Sequence, residues 1–188
     1  MIHRRRARGL LARVARGDAG AHLTHSWPPA ATRGLLAVLR GTSSLERRVQ
    51  AAYSLAFLFD RRAFGPFFEV ARNPAVDPLL RGECLEGIAY LVSNEDGREW
   101  PARHTHRARE TERRLIALLD DPSSEVRFQA IFALGLGGFK RATPALKAVT
   151  GDASRGPFGW TVGAEAQDVL AYFETGKWPD HDPGSPRG

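Results

Sequence analysis

The sequence predicts an all-α protein made of stacked pairs of antiparallel helices, and three observations carry that expectation. Sliding the chain by 79 positions lays Thr32, Leu36, Leu39, Glu46, Arg48, Gln50, Ala51, Leu55, Arg62, Ala63 and Val70 on identical residues between Thr111 and Val149. A self-match spread over two helical lengths marks a repeat array whose units each bury a face against the next. An arginine-led pattern also recurs: Arg48 opens Arg-Val-Gln-Ala-Ala-Tyr-Ser-Leu-Ala, Arg81 opens Arg-Gly-Glu-Cys-Leu-Glu-Gly-Ile-Ala, and Arg127 opens Arg-Phe-Gln-Ala-Ile-Phe-Ala-Leu-Gly. Finally, Val126, Ala130, Leu134 and their equivalents fall on one stripe at helical spacing, with small alanines that let neighbouring helices approach closely.

Taken in order, residues 1–31 read as a basic arm or a capping helix, because Leu10, Leu11 and Val14 have the spacing of a short amphipathic helix while six arginines lie in the first sixteen positions. Residues 32–173 hold the repeats. The first helix of each pair is expected at Thr32–Arg40, Arg62–Arg72, Ala108–Leu119 and Arg141–Thr150, and the second at Leu45–Phe59, Pro78–Val92, Ser124–Leu136 and Thr161–Phe173. Start signals support these limits: Ser43 and Glu46 have capping-box spacing, Asp77 precedes a first-turn Pro78, and Ser123 and Ser124 follow Asp120-Asp121-Pro122. The repeat arginines are spaced by 33 and then 46 residues, which places a 13-residue insertion in the loop 94–107. A degenerate fourth copy carries Gly163 in place of the arginine, as suits a terminal unit. Residues 174–188, rich in proline, glycine and charge, read as a flexible tail.

The run from Leu118 to Gly135, Leu-Leu-Asp-Asp-Pro-Ser-Ser-Glu-Val-Arg-Phe-Gln-Ala-Ile-Phe-Ala-Leu-Gly, resembles the HEAT-like repeat named after the phycobilisome lyases. The generic repeat carries the resemblance, which is strongest in this unit and extends over about residues 32–173. It implies a right-handed α–α superhelix, a HEAT-like solenoid of about four helix pairs, with the second helices lining the concave side. It also implies structural roles for Arg48, Arg81 and Arg127, each bonding across the turn or to the neighbouring repeat, with Asp120 or Asp121 as matching acids. No comparable acidic turn precedes Arg48.

A length of 188 residues and 43% apolar content suit one compact domain rather than disorder. No segment reaches the roughly 20 apolar residues of a membrane span, and the arginine-rich start lacks the apolar stretch of an export signal. The single Cys84 forms no intrachain disulfide and sits on the apolar stripe, so a reducing cytoplasm and a buried thiol are expected. The formal charge of +6, with 24 arginines against three lysines, invites a nucleic-acid partner. Yet the basic residues concentrate in the arm, the loop and the first helices, whereas the second helices carry acids.

Counting from the repeat arginine, the second position onward is Gln50, Glu83, Gln129 and Glu165. The fifth is Tyr53, Glu86, Phe132 and Asp168, and the ninth is Phe57, Tyr90, Leu136 and Tyr172. A stripe of aromatics and carboxylates is a poor floor for phosphate and a good one for a protein or peptide with basic segments. It serves equally as inter-helix packing. Tyr53, Phe57, Glu83, Glu86, Tyr90, Gln129 and Phe132 are therefore the candidate partner-binding residues.

Catalytic and metal signals are thin. His22 with His25, and His104 with His106, lack helix-spaced companions; there is no phosphate loop and no nucleophile–base pair; and Trp27, Trp100, Trp160 and Trp178 all fall outside the second helices. The loop around Trp100 and the segment Gly156–Thr161, with Phe158 and Trp160, are the irregular candidates. The expectation is a monomeric, cytoplasmic, non-enzymatic scaffold or regulator of bacterial type, with no cofactor and no metal. The alternative is a nucleic-acid-binding or base-excising helical-repeat protein that uses the basic arm.

Overall fold

In a computed structural model, residues 29–93 and 106–179 are described, and among them the chain forms eight α-helices and no strand. The order is α1 Pro29–Arg40, α2 Leu45–Phe57, α3 Phe64–Ala71, α4 Pro78–Val92, α5 His106–Ala117, α6 Ser124–Leu136, α7 Thr143–Ala148 and α8 Val162–Thr175. The basic arm, the inserted loop from Asn94 to Thr105 and the last nine residues lie outside the described residues. Short 3₁₀ turns at Arg61–Ala63 and Lys140–Ala142 lead into α3 and α7.

Local chemistry fixes the starts of the second helices. The Asp77 carboxylate accepts from the Leu79 N–H ahead of Pro78, and the Thr161 hydroxyl accepts from the Ala164 N–H. At α2 the cap is Ser44, which accepts from the Arg47 N–H, rather than Ser43. Beside α6 the expected serine cap is replaced by Asp121, which accepts the Ser123 N–H at 3.0 Å, while the Ser124 hydroxyl donates across to the Arg155 carbonyl at 2.6 Å.

The helices pair as α1 with α2, α3 with α4, α5 with α6 and α7 with α8, and the second helices pack in succession, α2 on α4, α4 on α6 and α6 on α8. One continuous core runs through them, including Leu55, Phe67, Leu85, Ile88, Leu115, Ile131 and Leu134, each 0% exposed. Burying such side chains stabilises by roughly 1.5–3 kcal/mol apiece before chain entropy is opposed. Close approach depends on missing side chains: a Cβ at Gly87 would overlap the ring of Phe67, and one at Gly135 would lie 2.7 Å from Val169 and 2.8 Å from Trp178.

Two turns solve the same problem differently. Gly138, after α6, has φ 62°, and its counterpart 79 residues earlier, Phe59 after α2, is held at φ 49°. Glycine enters this left-handed region freely, while a bulky residue is strained there. At the far end the ordered chain continues beyond the expected limit at Glu174. Helix α8 reaches Thr175, is closed by Gly176 at φ 71°, and Trp178 stacks on Tyr172 with ring centres 4.5 Å apart. Lys140 Nζ donates to the Phe173 carbonyl at 2.7 Å, placing a cation at the negative end of the helix.

Candidate functional site

The repeat arginines lie at the joints between units. Arg81, 3% exposed, donates from Nε to the Ala71 carbonyl at 2.9 Å and sets its two terminal nitrogens on the carboxylate of Asp121 in the next unit. Arg127 repeats this one unit on: Nε donates to Asp152 at 2.9 Å, and Nη1 donates to the Asp121 and Pro122 carbonyls at 2.7 and 3.1 Å. Asp121 thus serves both neighbours, while Asp120 is exposed. Arg48 donates to the Leu39 carbonyl at 3.0 Å within its own unit. Asp152 escaped sequence reasoning because it stands eleven residues before Gly163, whereas Asp121 stands six before Arg127, so no fixed spacing finds it.

The candidate partner-binding residues line up across the second helices as a graded stripe. Tyr53 on α2 is 41% exposed, Phe57 is half-buried, and on α4 Glu83 and Glu86 are half-buried. Farther along, Tyr90, Gln129 and Phe132 retain 4%, 5% and 6% of their surface. Ring contacts join the aromatic members, with centroids 4.7 Å apart from Tyr53 to Phe57, 5.6 Å from Phe57 to Tyr90 and 6.4 Å, edge-on, from Tyr90 to Phe132. Such tilted pairs are favoured by the ring quadrupoles. The stripe is therefore open at its α2 and α4 end and forms part of the packing at α6.

Its charge is concentrated at the open end. Burial first, and then the charges of Glu86 and Glu125, push the Glu83 carboxyl up to about 7. Tyr90 donates its hydroxyl to Glu86 Oε1 at 2.6 Å, which fixes that carboxylate against the rings. Glu125 belongs to the same cluster, since its Oε1 lies 2.7 Å from where a Cβ on Gly82 would sit. One turn beyond Glu125 on α6, Gln129 Oε1 is buried and meets no hydrogen-bond donor. A buried acceptor left so costs about 1–3 kcal/mol.

Elsewhere the chemistry is structural. Cys84 is fully buried, and burial, then the Glu83 charge, raises its thiol well above the usual range. Among the described residues no group of three or more His, Cys, Asp or Glu side chains could hold a metal ion. His106 opens α5 at the surface, while His22, His25, His104, Trp27 and Trp100 lie outside the described residues. Trp160 is half-buried against the core, following the 3₁₀ turn Pro157–Gly159. No described helix is long and apolar enough to cross a membrane. No family model matches the chain, and no curated protein matches its sequence.

Proposed function

We propose that the chain is a non-enzymatic protein-binding scaffold, a HEAT-like array of bacterial type. In this reading the array winds as a right-handed superhelix and grips a protein partner on its inner, second-helix side. The observation that carries the reading is Tyr53: a large aromatic, 41% exposed, on the end of a ladder of rings and beside half-buried carboxylates. Exposed aromatics backed by rigid packing supply binding area at low entropic cost, and flanking acids select against anionic ligands. The stacked second helices support the array, and the paired repeat arginines support the family resemblance. The protein acts as a cytoplasmic monomer in this reading.

Site-directed photocrosslinking in the native cell tests it. A crosslinker at position 53 is expected to trap one discrete protein, and the same probe at Arg72, after α3, is expected to trap none. Tyr53→Ala is expected to abolish co-purification of that protein while the helical circular dichroism stays unchanged. Salt-dependent DNA binding with release of alkylated base, and no discrete adduct at position 53, would replace the scaffold with the nucleic-acid reading.

A further inference from the structure

The open end of the stripe combines two kinds of recognition chemistry on adjoining helices. Tyr53 and Phe57 present ring surface from α2, and Glu83 and Glu86 on α4 meet Glu125 from α6. Glu86 stands in the fifth-position row between Tyr53 and Phe132, held by the Tyr90 hydroxyl. Gln129 stands in the second-position row next to Glu83, 5% exposed, with an acceptor oxygen that no donor reaches. Three carboxylates and an orphan amide oxygen form a cluster of acceptors, and no basic side chain is recorded bonding to the carboxylates of Glu83 or Glu86 among the described residues.

We propose that this end of the stripe is an arginine-recognition site, in which a guanidinium from a partner protein sits on the carboxylates of Glu83, Glu86 and Glu125 with its plane against Tyr53 and Phe57. The proposal rests on the scaffold reading and specifies the partner's chemistry. A guanidinium suits the site better than an ammonium for two reasons. It offers five donors in a planar fork, enough to reach acceptors on both α4 and α6, and its face stacks on aromatic rings while its edge bonds carboxylate. Arrival of a positive charge also relieves the mutual repulsion that holds the Glu83 proton in place. An anionic or purely apolar segment would leave these acceptors desolvated without donors.

Fluorescence anisotropy with the full-length protein tests this, using a labelled peptide Gly-Arg-Leu-Gly-Arg-Leu-Gly and its citrulline and lysine counterparts at physiological salt. The arginine peptide is expected to bind at least tenfold more tightly than the citrulline peptide and severalfold more tightly than the lysine peptide. The double variant Glu83→Gln/Glu86→Gln is expected to remove that preference, while Glu69→Gln, an exposed acid on α3, keeps it. Equal binding of arginine and citrulline peptides overturns the proposal, and so does a preference that survives the double variant. If a protein is still trapped at position 53 in that case, the scaffold reading stands and the cation site alone is lost. Binding gained only when Arg4, Arg5, Arg6 and Arg8 are replaced by Gln would show that the chain's own basic segment is the occupant, and it too overturns a partner-derived arginine.

Discussion

Arg48 and Arg127 occupy the same place in the repeat, 79 residues apart, and the two units use them differently. Arg127 reaches forward to Asp152 and back to two carbonyls, so it ties three segments together. Arg48 meets the Leu39 carbonyl of its own unit. The turns that follow contrast in the same way, with Gly138 relaxed and Phe59 strained in the left-handed region. What holds the first unit to the second is ring packing instead: Phe57 lies 5.6 Å and Phe59 6.4 Å from Tyr90. A repeat position therefore fixes where a side chain starts, and the next unit decides what it does. The first joint, made of apolar rings beside a solvent-facing Tyr53, is left adaptable at the end where binding is proposed.

The largest expected effect is at the joints. Arg81→Ala strands the Asp121 carboxylate, whose side chain is 8% exposed, and is expected to cost about 3–5 kcal/mol. Arg127→Ala, at a more exposed pair, should cost about 2–3 kcal/mol, and Arg48→Ala about 1 kcal/mol. Urea unfolding midpoints at pH 7 check the order; an Arg48→Ala loss matching that of Arg81→Ala would mean that the two joints are equivalent after all.

A smaller effect separates Glu83 from Gln50, which stands in the same row of the first unit. Because the folded protein holds the Glu83 proton up to about 7, well above the ordinary glutamate range, it binds more protons than the unfolded chain across that interval. Stability should therefore fall as pH rises from about 4.5 to about 7, by on the order of 2 kcal/mol from this group. Glu83→Gln is expected to flatten that decline in thermal melts taken from pH 5 to pH 8, and Gln50→Glu, at an exposed site, to leave the slope unaltered. Asp60, lowered to about 2 chiefly by its hydrogen bond from Arg62, titrates below this window.

The smallest effect is at the turns. Gly138→Ala adds a Cβ in a left-handed conformation and is expected to cost about 1 kcal/mol. Phe59→Gly relieves the same strain while losing the ring against Tyr90, so the net change should stay within about 1 kcal/mol of wild type. A loss near the 3–5 kcal/mol of a core phenylalanine truncation would show that packing outweighs strain at this turn.

Helices α4 and α6 were legible to the residue, because Pro78 behind Asp77 and the Asp-Pro-Ser-Ser turn write their starts into the sequence. Ser43 was mistaken for Ser44 since both precede Leu45 and either oxygen could reach the first free N–H groups. The rows of the stripe were legible too, as equivalent positions on stacked helices. Their exposure was not: Tyr53 and Phe132 share a row yet differ as 41% and 6%, because burial depends on what each helix has on both sides. The packing of Trp178 was hidden for a similar reason, since only the folded chain brings it over Gly135, and proline and glycine nearby describe the turn that delivers it rather than a loose end.

The glycine at position 87, whose missing side chain makes room for the Phe67 ring, carries a warning for mutational surveys of the protein. Every replacement there should abolish whatever the protein does in a cell, although the residue contacts no ligand in the proposed site. In a growth-based screen it would score as essential beside Glu83 and Glu86, only one helical turn away. Abundance would tell them apart: alleles at 87 should vanish from the soluble pool, and alleles at 83 and 86 should accumulate normally and fail only at their task.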